Sequence, residues 1–144
     1  MYQNENWETV IGDLIIARHG SGSSKISGEI CTDSKKVSLG AVFAAIPGTK
    51  INGHSFIPQA INSGAATVLH TEELANYDER INYICVSDIR AAVSRLHRCA
   101  NSAPDKYVKV YGFTGTNGKT TSAYLLRHLL NSINIPCGLI STVE

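Results

Sequence analysis

The order of apolar runs along this 144-residue chain predicts an α/β fold. A mostly parallel sheet is expected over residues 1 to about 103, then a linker at 104–107, then the opening βαβ unit of a second domain over 108–144. Three observations predict this. Short β-branched and aromatic runs alternate with stretches of helical period. Pro104-Asp-Lys106 interrupts that alternation. Beyond it come one apolar run, a glycine loop, one helical run and a further apolar run from Cys137 to Val143, a single crossover unit that cannot cover both faces of its own sheet.

Trp7, Val10, Ile11 and Leu14 recur at i, i+3, i+4 and i+7 and predict a short amphipathic helix with Asn6 as its cap, ended by Gly20-Ser-Gly-Ser-Ser24. Ile26–Thr32 and Ala41–Ile46 read as strands, separated by the polar turn Asp33-Ser-Lys-Lys36 and followed by the loop Pro47-Gly-Thr-Lys-Ile-Asn-Gly53. Ser55 is expected to cap a helix carrying Phe56, Ala60 and Ile61, with Gly64 at its end. Ala66–Leu69 and Tyr83–Val86 read as buried strands. Ile89, Ala92, Val93, Leu96, Ala100 and Ala103 describe another helix, begun by Ser87 or Asp88 and stopped by Pro104.

Charge excludes some functions and leaves others. With thirteen basic and twelve acidic residues the net charge is +1, and the basic residues are scattered, so nothing marks a nucleic-acid surface. Cys31, Cys85, Cys99 and Cys137 are far apart, without Cys-x-x-Cys or histidines at metal spacing, and read as buried thiols in a reducing compartment. The N-terminal residues lack the basic and apolar blocks of a signal peptide, and no apolar run reaches membrane-spanning length. A soluble, cytoplasmic protein is the expectation. His54 reads as a loop or capping residue, and His70, His97 and His128 have no partner in sequence.

The chemistry is carried by Tyr111-Gly-Phe-Thr-Gly-Thr-Asn-Gly-Lys-Thr-Thr121. Val108, Val110 and Phe113 before it read as a strand, and Leu125, Leu126, Leu129, Leu130 and Ile133 after it fall at helical spacing. Strand, glycine loop and helix form a phosphate-binding arrangement: Gly115 and Gly118 allow a tight turn with inward N–H groups, and the helix aims its positive end at the phosphates. Lys119 adds a mobile positive charge, and Thr120 a hydroxyl where such loops hold magnesium. The general pattern Gly-x-x-x-x-Gly-Lys-[Ser/Thr] calls for glycine where Phe113 stands, and Gly112 lies one residue too early.

Thr114-Gly-Thr-Asn-Gly-Lys-Thr-Thr121, preceded by Cys31-Thr-Asp-Ser-Lys35 and by Val42-Phe-Ala-Ala-Ile-Pro-Gly-Thr-Lys-Ile-Asn-Gly-His-Ser-Phe-Ile57, resembles the start of a Mur ligase, and most nearly the branch that performs the tripeptide step. Three motifs in order, from Ile30 onward, are more specific than the loop alone, and this family's loop needs no glycine at Phe113. The resemblance implies an ATP-dependent ligase of peptidoglycan synthesis, with a P-loop ATPase-like central domain beginning at the loop. ATP would phosphorylate the carboxylate of UDP-MurNAc-L-Ala-D-Glu, and the amine of a diamino acid, meso-diaminopimelate or L-lysine, would attack the acyl phosphate. Magnesium would accompany ATP.

By that resemblance Thr32, Ser34, Thr49, Lys50 and Ile51 hold the uridine diphosphate end of the substrate. Gly115, Thr116, Asn117, Gly118, Lys119, Thr120 and Thr121 hold ATP, with Lys119 catalytic and Thr120 on the metal. Lys35 stands where arginine is usual and Asn52 where aspartate is usual; the first keeps charge without the bidentate fork, the second keeps turn propensity. The resemblance further implies that the amino-acid site lies beyond these residues and that the stretch alone, an N-terminal fragment, is inactive. Alternatives are the D-Ala-D-Ala-adding Mur ligase, a folylpolyglutamate synthetase-like ligase, and a stand-alone nucleotide-binding module. Thr116, Asn117 and Thr120 favour the tripeptide enzyme over the first two.

Overall fold

The structure is a computed structural model that describes residues 7–21, 29–49 and 51–142. The chain forms two compact units, Met1–Lys106 and Tyr107–Glu144.

The first unit holds a five-stranded sheet of β1 (Ile15–His19), β2 (Ile30–Cys31), β3 (Val42–Ala44), β4 (Thr67–His70) and β5 (Asn82–Val86), in spatial order β1-β5-β4-β3-β2. From β2 to β5 every pairing is parallel, while β1 runs antiparallel to β5 on the edge. The mostly parallel α/β sheet is therefore what the sequence predicts. Strands β3, β4 and β5 are buried at every position, so they read in sequence as apolar runs without alternation.

Successive residues of these strands face opposite sides and fill two cores. On one side Val42, Ala44, Leu69, Ile84 and Val86 pack with Ile11 of helix α1 (Trp7–Ile11) and with Ile89, Ala92 and Leu96 of α3 (Ile89–Ala100). On the other, Phe43, Val68 and Tyr83 pack with Ile57 and Ala60 of α2 (Ile57–Asn62). Asp88 caps α3, its Oδ1 accepting the Ala91 N–H at 2.9 Å.

Several local expectations are corrected. The first helix stops at Ile11, a 3-10 turn spans Gly12–Leu14, and β1 occupies residues expected to be helical or broken. Leu14 and Ile15 extend the helical spacing, yet Ile15 pairs with Val86 and His19 with Tyr83, where the ladder satisfies their backbone groups. Asn52, not Ser55, caps the turn Gly53–Phe56 that leads into α2; Ser55 Oγ donates back to Asn52 O at 2.8 Å. Of the strand expected over 26–32, β2 keeps Ile30–Cys31 and residues 26–28 lie outside the described residues, as does the Asn6 cap. Cys31 and Cys85 are buried free thiols, but Cys99 and Cys137 are only half-buried.

The second unit contains helix α4 (Lys119–Ser132). Asn134 closes it at φ 59°, with the Ile135 N–H on Leu130 O at 2.9 Å and the Asn134 N–H on Asn131 O at 3.1 Å, so the last carbonyls are satisfied. The flanking strands expected at 108–113 and 137–143 are not formed among the described residues of this unit. A strand is defined by the ladder it shares, and Val108, Val110 and Phe113 share none here; all three are exposed.

Candidate functional site

Because β2, β3 and β4 are parallel, their carboxyl ends open on one edge of the sheet, the side on which open α/β sheets bind ligands. Thr32 and Ser34 follow β2. Asp33 turns the chain there, its Oδ1 accepting the Lys35 N–H at 3.0 Å, which leaves Thr32 exposed and Ser34 buried. The hydroxyl of Ser34 donates to Gln59 Oε1 of α2 at 2.9 Å.

Thr49 and Ile51 sit on the loop after β3, both exposed, while Lys50 lies outside the described residues. The loop is closed by a bridge between Pro47 and Asn52 and by the Gly48 N–H on Ile51 O at 3.1 Å. Its base requires glycine: a Cβ at Gly53 would lie 2.3 Å from Ile46 O and 2.7 Å from Ile46 N, both backbone atoms. His54 then ties this loop to the next. Its Nδ1 donates to Asn52 Oδ1 at 2.6 Å and its Nε2 accepts the Thr71 N–H, just after β4, at 3.3 Å. An amide oxygen and a backbone N–H permit only the Nδ1–H tautomer, so the ring is a brace.

His70 ends β4 with its side chain fully buried. Nδ1 donates to Glu72 O at 2.8 Å, and Nε2 is buried without a partner among the described residues. Burial pushes its pKa down against the pull of the Glu72 carbonyl, and His54 and His19 add repulsion. Burial likewise raises the Cys31 thiol, helped by Glu29 and Asp33, so Cys31 is a protonated donor to Lys36 O at 3.5 Å.

In the second unit Gly118 stands at the N-terminus of α4 with φ 78°, a left-handed conformation natural to glycine, and Gly115 has φ 143°. Lys119 folds over the loop, its Nζ donating to Gly115 O at 2.5 Å and to Thr116 O at 3.3 Å. The first N–H groups of α4 have no intrahelical acceptor and carry the helix's positive end. Fourteen residues of helix, an unencumbered glycine turn and a loop lysine fit an anionic phosphate. Thr120 is half-buried at the second helical position. Among the described residues no three His, Cys, Asp or Glu side chains cluster to hold a metal, and the Thr120 hydroxyl by itself makes no metal site.

The Mur ligase family, catalytic domain, matches residues 27–113. The chain belongs to that family. The match covers the motifs at 31–35 and 42–57 and ends just before Thr114. Over 141 residues the chain is 36% identical to a UDP-N-acetylmuramoyl-L-alanyl-D-glutamate--2,6-diaminopimelate ligase of Chlorobaculum tepidum, covering 97% of this chain and 28% of that protein. A UDP-N-acetylmuramyl-tripeptide synthetase of Deinococcus radiodurans is 41% identical over 107 residues, 74% of this chain and 22% of that protein. The chain thus spans about a quarter of the length of these Mur ligase relatives.

Among solved structures, MurF from Acinetobacter baumannii shares the fold, with a TM-score of 0.61 and 22% identity over 89% of this chain and 27% of that one. MurF ligase from Thermotoga maritima in complex with ADP gives a TM-score of 0.54 and 30% identity over 74% of this chain and 24% of that one. Among the residues named from sequence, Thr32, Ser34, Thr49 and Ile51 follow the carboxyl ends of adjacent parallel strands, and Gly115 to Thr121 form one loop and helix start. Gln59 and His54 were not assigned to the site; their partners lie 25 and 17 residues away, a distance that only the fold closes.

Proposed function

We propose that this chain is the N-terminal part of an ATP-dependent amide ligase that adds a diamino acid, meso-diaminopimelate or L-lysine, to UDP-MurNAc-L-Ala-D-Glu in peptidoglycan synthesis. The observation that carries the reading is the gathering of the post-β2 and post-β3 motifs on one carboxyl edge, in a chain 36–41% identical to ligases named for that step. Identity to the MurF structures is lower, 22–30%, which favours the tripeptide step over D-Ala-D-Ala addition.

Residues 1–103 form the substrate domain, with Thr32, Ser34, Thr49, Lys50 and Ile51 on the uridine diphosphate end. Residues 104–107 link it to the start of the ATP-binding domain at 108–144. There Gly115, Thr116, Asn117, Gly118 and Thr121 cradle phosphate oxygens with backbone N–H groups. Lys119 neutralises charge on the outer phosphates, and Thr120 offers one oxygen to magnesium. A free carboxylate does not acylate an amine; bound ATP would supply the phosphoryl group that makes it an acyl phosphate. For Lys119 to reach a phosphate it must leave the carbonyls of Gly115 and Thr116, and those same carbonyls hold it poised beforehand. Nucleotide-linked substrates and free thiols favour the cytoplasm, and no described helix is long and apolar enough to cross a membrane. The near-neutral charge favours no nucleic-acid partner.

The test is calorimetric titration of UDP-MurNAc-L-Ala-D-Glu into the folded chain. Saturable heat is expected, and its absence at millimolar ligand overturns the reading.

A further inference from the structure

The geometry points to Gln59 as a positioning residue that fixes Ser34 as a hydrogen-bond acceptor toward the nucleoside of the substrate. The inference rests on the reading of Ser34 as a substrate contact given above, and adds to it which kind of ligand atom Ser34 can take.

A serine hydroxyl has one proton and two lone pairs. In Ser34 the proton is committed, pointing at Gln59 Oε1 at 2.9 Å. What it can still offer is acceptance, and donating to an amide oxygen polarises Oγ and strengthens it in that role. A ligand group meeting Ser34 must therefore bring its own proton, as the uracil imide N–H and the ribose hydroxyls do. A phosphate oxygen, which only accepts, is excluded at this atom.

Gln59 has no evident packing duty. It is exposed, while its helix neighbours Ile57 and Ala60 supply the buried face of α2. Ser34 is only 5% exposed with Gln59 in place. The two residues come from different crossover segments, one after β2 and one after β3, and the bond also holds those segments at a fixed separation.

The experiment is calorimetric titration of UDP-MurNAc-L-Ala-D-Glu into the chain and into its Gln59→Ala, Gln59→Glu, Ser34→Ala and Gln59→Ala/Ser34→Ala variants, with melting temperatures measured alongside. Gln59→Ala is expected to weaken binding about five- to tenfold, the loss of one well-placed hydrogen bond. Gln59→Glu, whose carboxylate also accepts from Ser34, is expected to bind within about twofold of the parent, and the double variant no more weakly than Ser34→Ala alone. Should Gln59→Ala lower the melting temperature, Gln59→Met, which keeps the stem and loses the acceptor, replaces it. Parent-like affinity of the Gln59 variants beside a weakened Ser34→Ala overturns the positioning role and leaves Ser34 a substrate contact; so do additive losses. Unchanged affinity in Ser34→Ala overturns both.

Discussion

The ammonium of Lys119 donates to the carbonyl oxygen of Gly115 at 2.5 Å, so the glycine loop is closed over by its own lysine. In the proposed ATP site Lys119 would exchange the carbonyls of Gly115 and Thr116 for a phosphate on binding. Lys119→Ala removes both. The helix α4 should persist, since lysine and alanine are both good helix formers. Magnesium-ATP or ADP binding should fall at least tenfold, because a charge-assisted contact to phosphate is lost. Equilibrium dialysis with labelled nucleotide, beside a circular-dichroism spectrum, checks it; unchanged affinity would remove Lys119 from its assigned role.

His70 makes stability depend on pH. Its folded-state pKa lies below the ordinary 6.5 because burial disfavours the charged ring. The unfolded chain then binds a proton that the folded one resists, so His70's share of stability is intact above pH 6.5 and is lost as pH falls below it. Among the described residues the groups around the ring are His19, His54, Tyr77, Tyr83 and the Glu72 carbonyl, and none supplies a carboxylate to compensate. Urea midpoints should decline from pH 7.5 to pH 5, and less steeply in His70→Phe. Equal slopes in the two proteins would contradict the assignment.

Burial separates the apolar residues of β3 from those of α4. Phe43, 1% exposed in the core it shares with Val68 and Tyr83, should cost about 3–5 kcal/mol on truncation to alanine. Leu129 of α4, 52% exposed, should cost within about 0.5 kcal/mol. Denaturant melts of the two variants decide it; a large loss at Leu129 would mean that α4 has cover the structure does not show.

The central strands were legible because burial on both faces writes itself as unbroken apolar runs such as Ala41–Ala45. The start of α3 was legible as Ser87 or Asp88, and the bond from the Ala91 N–H, three residues on, makes it Asp88. Strand β1 was not, since Leu14 and Ile15 fit the helical period as well as Ile16 and Arg18 fit an edge strand, and only pairing with β5 decides between them. The same holds for Val108 to Phe113, apolar enough for a strand yet without a described ladder. The site divides along the same line: motifs contiguous in sequence could be read, whereas Ser34 with Gln59 and His54 with Thr71 required the fold.

Gly53 offers the sharpest test of the loop after β3. Its N–H donates to Ile46 O at 3.2 Å, and the two backbones approach so closely that any β-carbon would overlap Ile46 O. Since that oxygen belongs to main chain next to β3, it cannot swing aside as a long side chain would. Gly53→Ala must open the loop, and with it the Pro47–Asn52 bridge and the Asn52–His54 contacts that set Thr49 and Ile51. The expected outcome is a loss of stability on the order of 1–3 kcal/mol from the overpacked contact, together with weaker binding of UDP-MurNAc-L-Ala-D-Glu. Gly12→Ala, where nothing lies within 4 Å of the added carbon, is the control and should leave binding unchanged. If both alanine variants melt and bind alike, the close approach at Gly53 does not hold this loop.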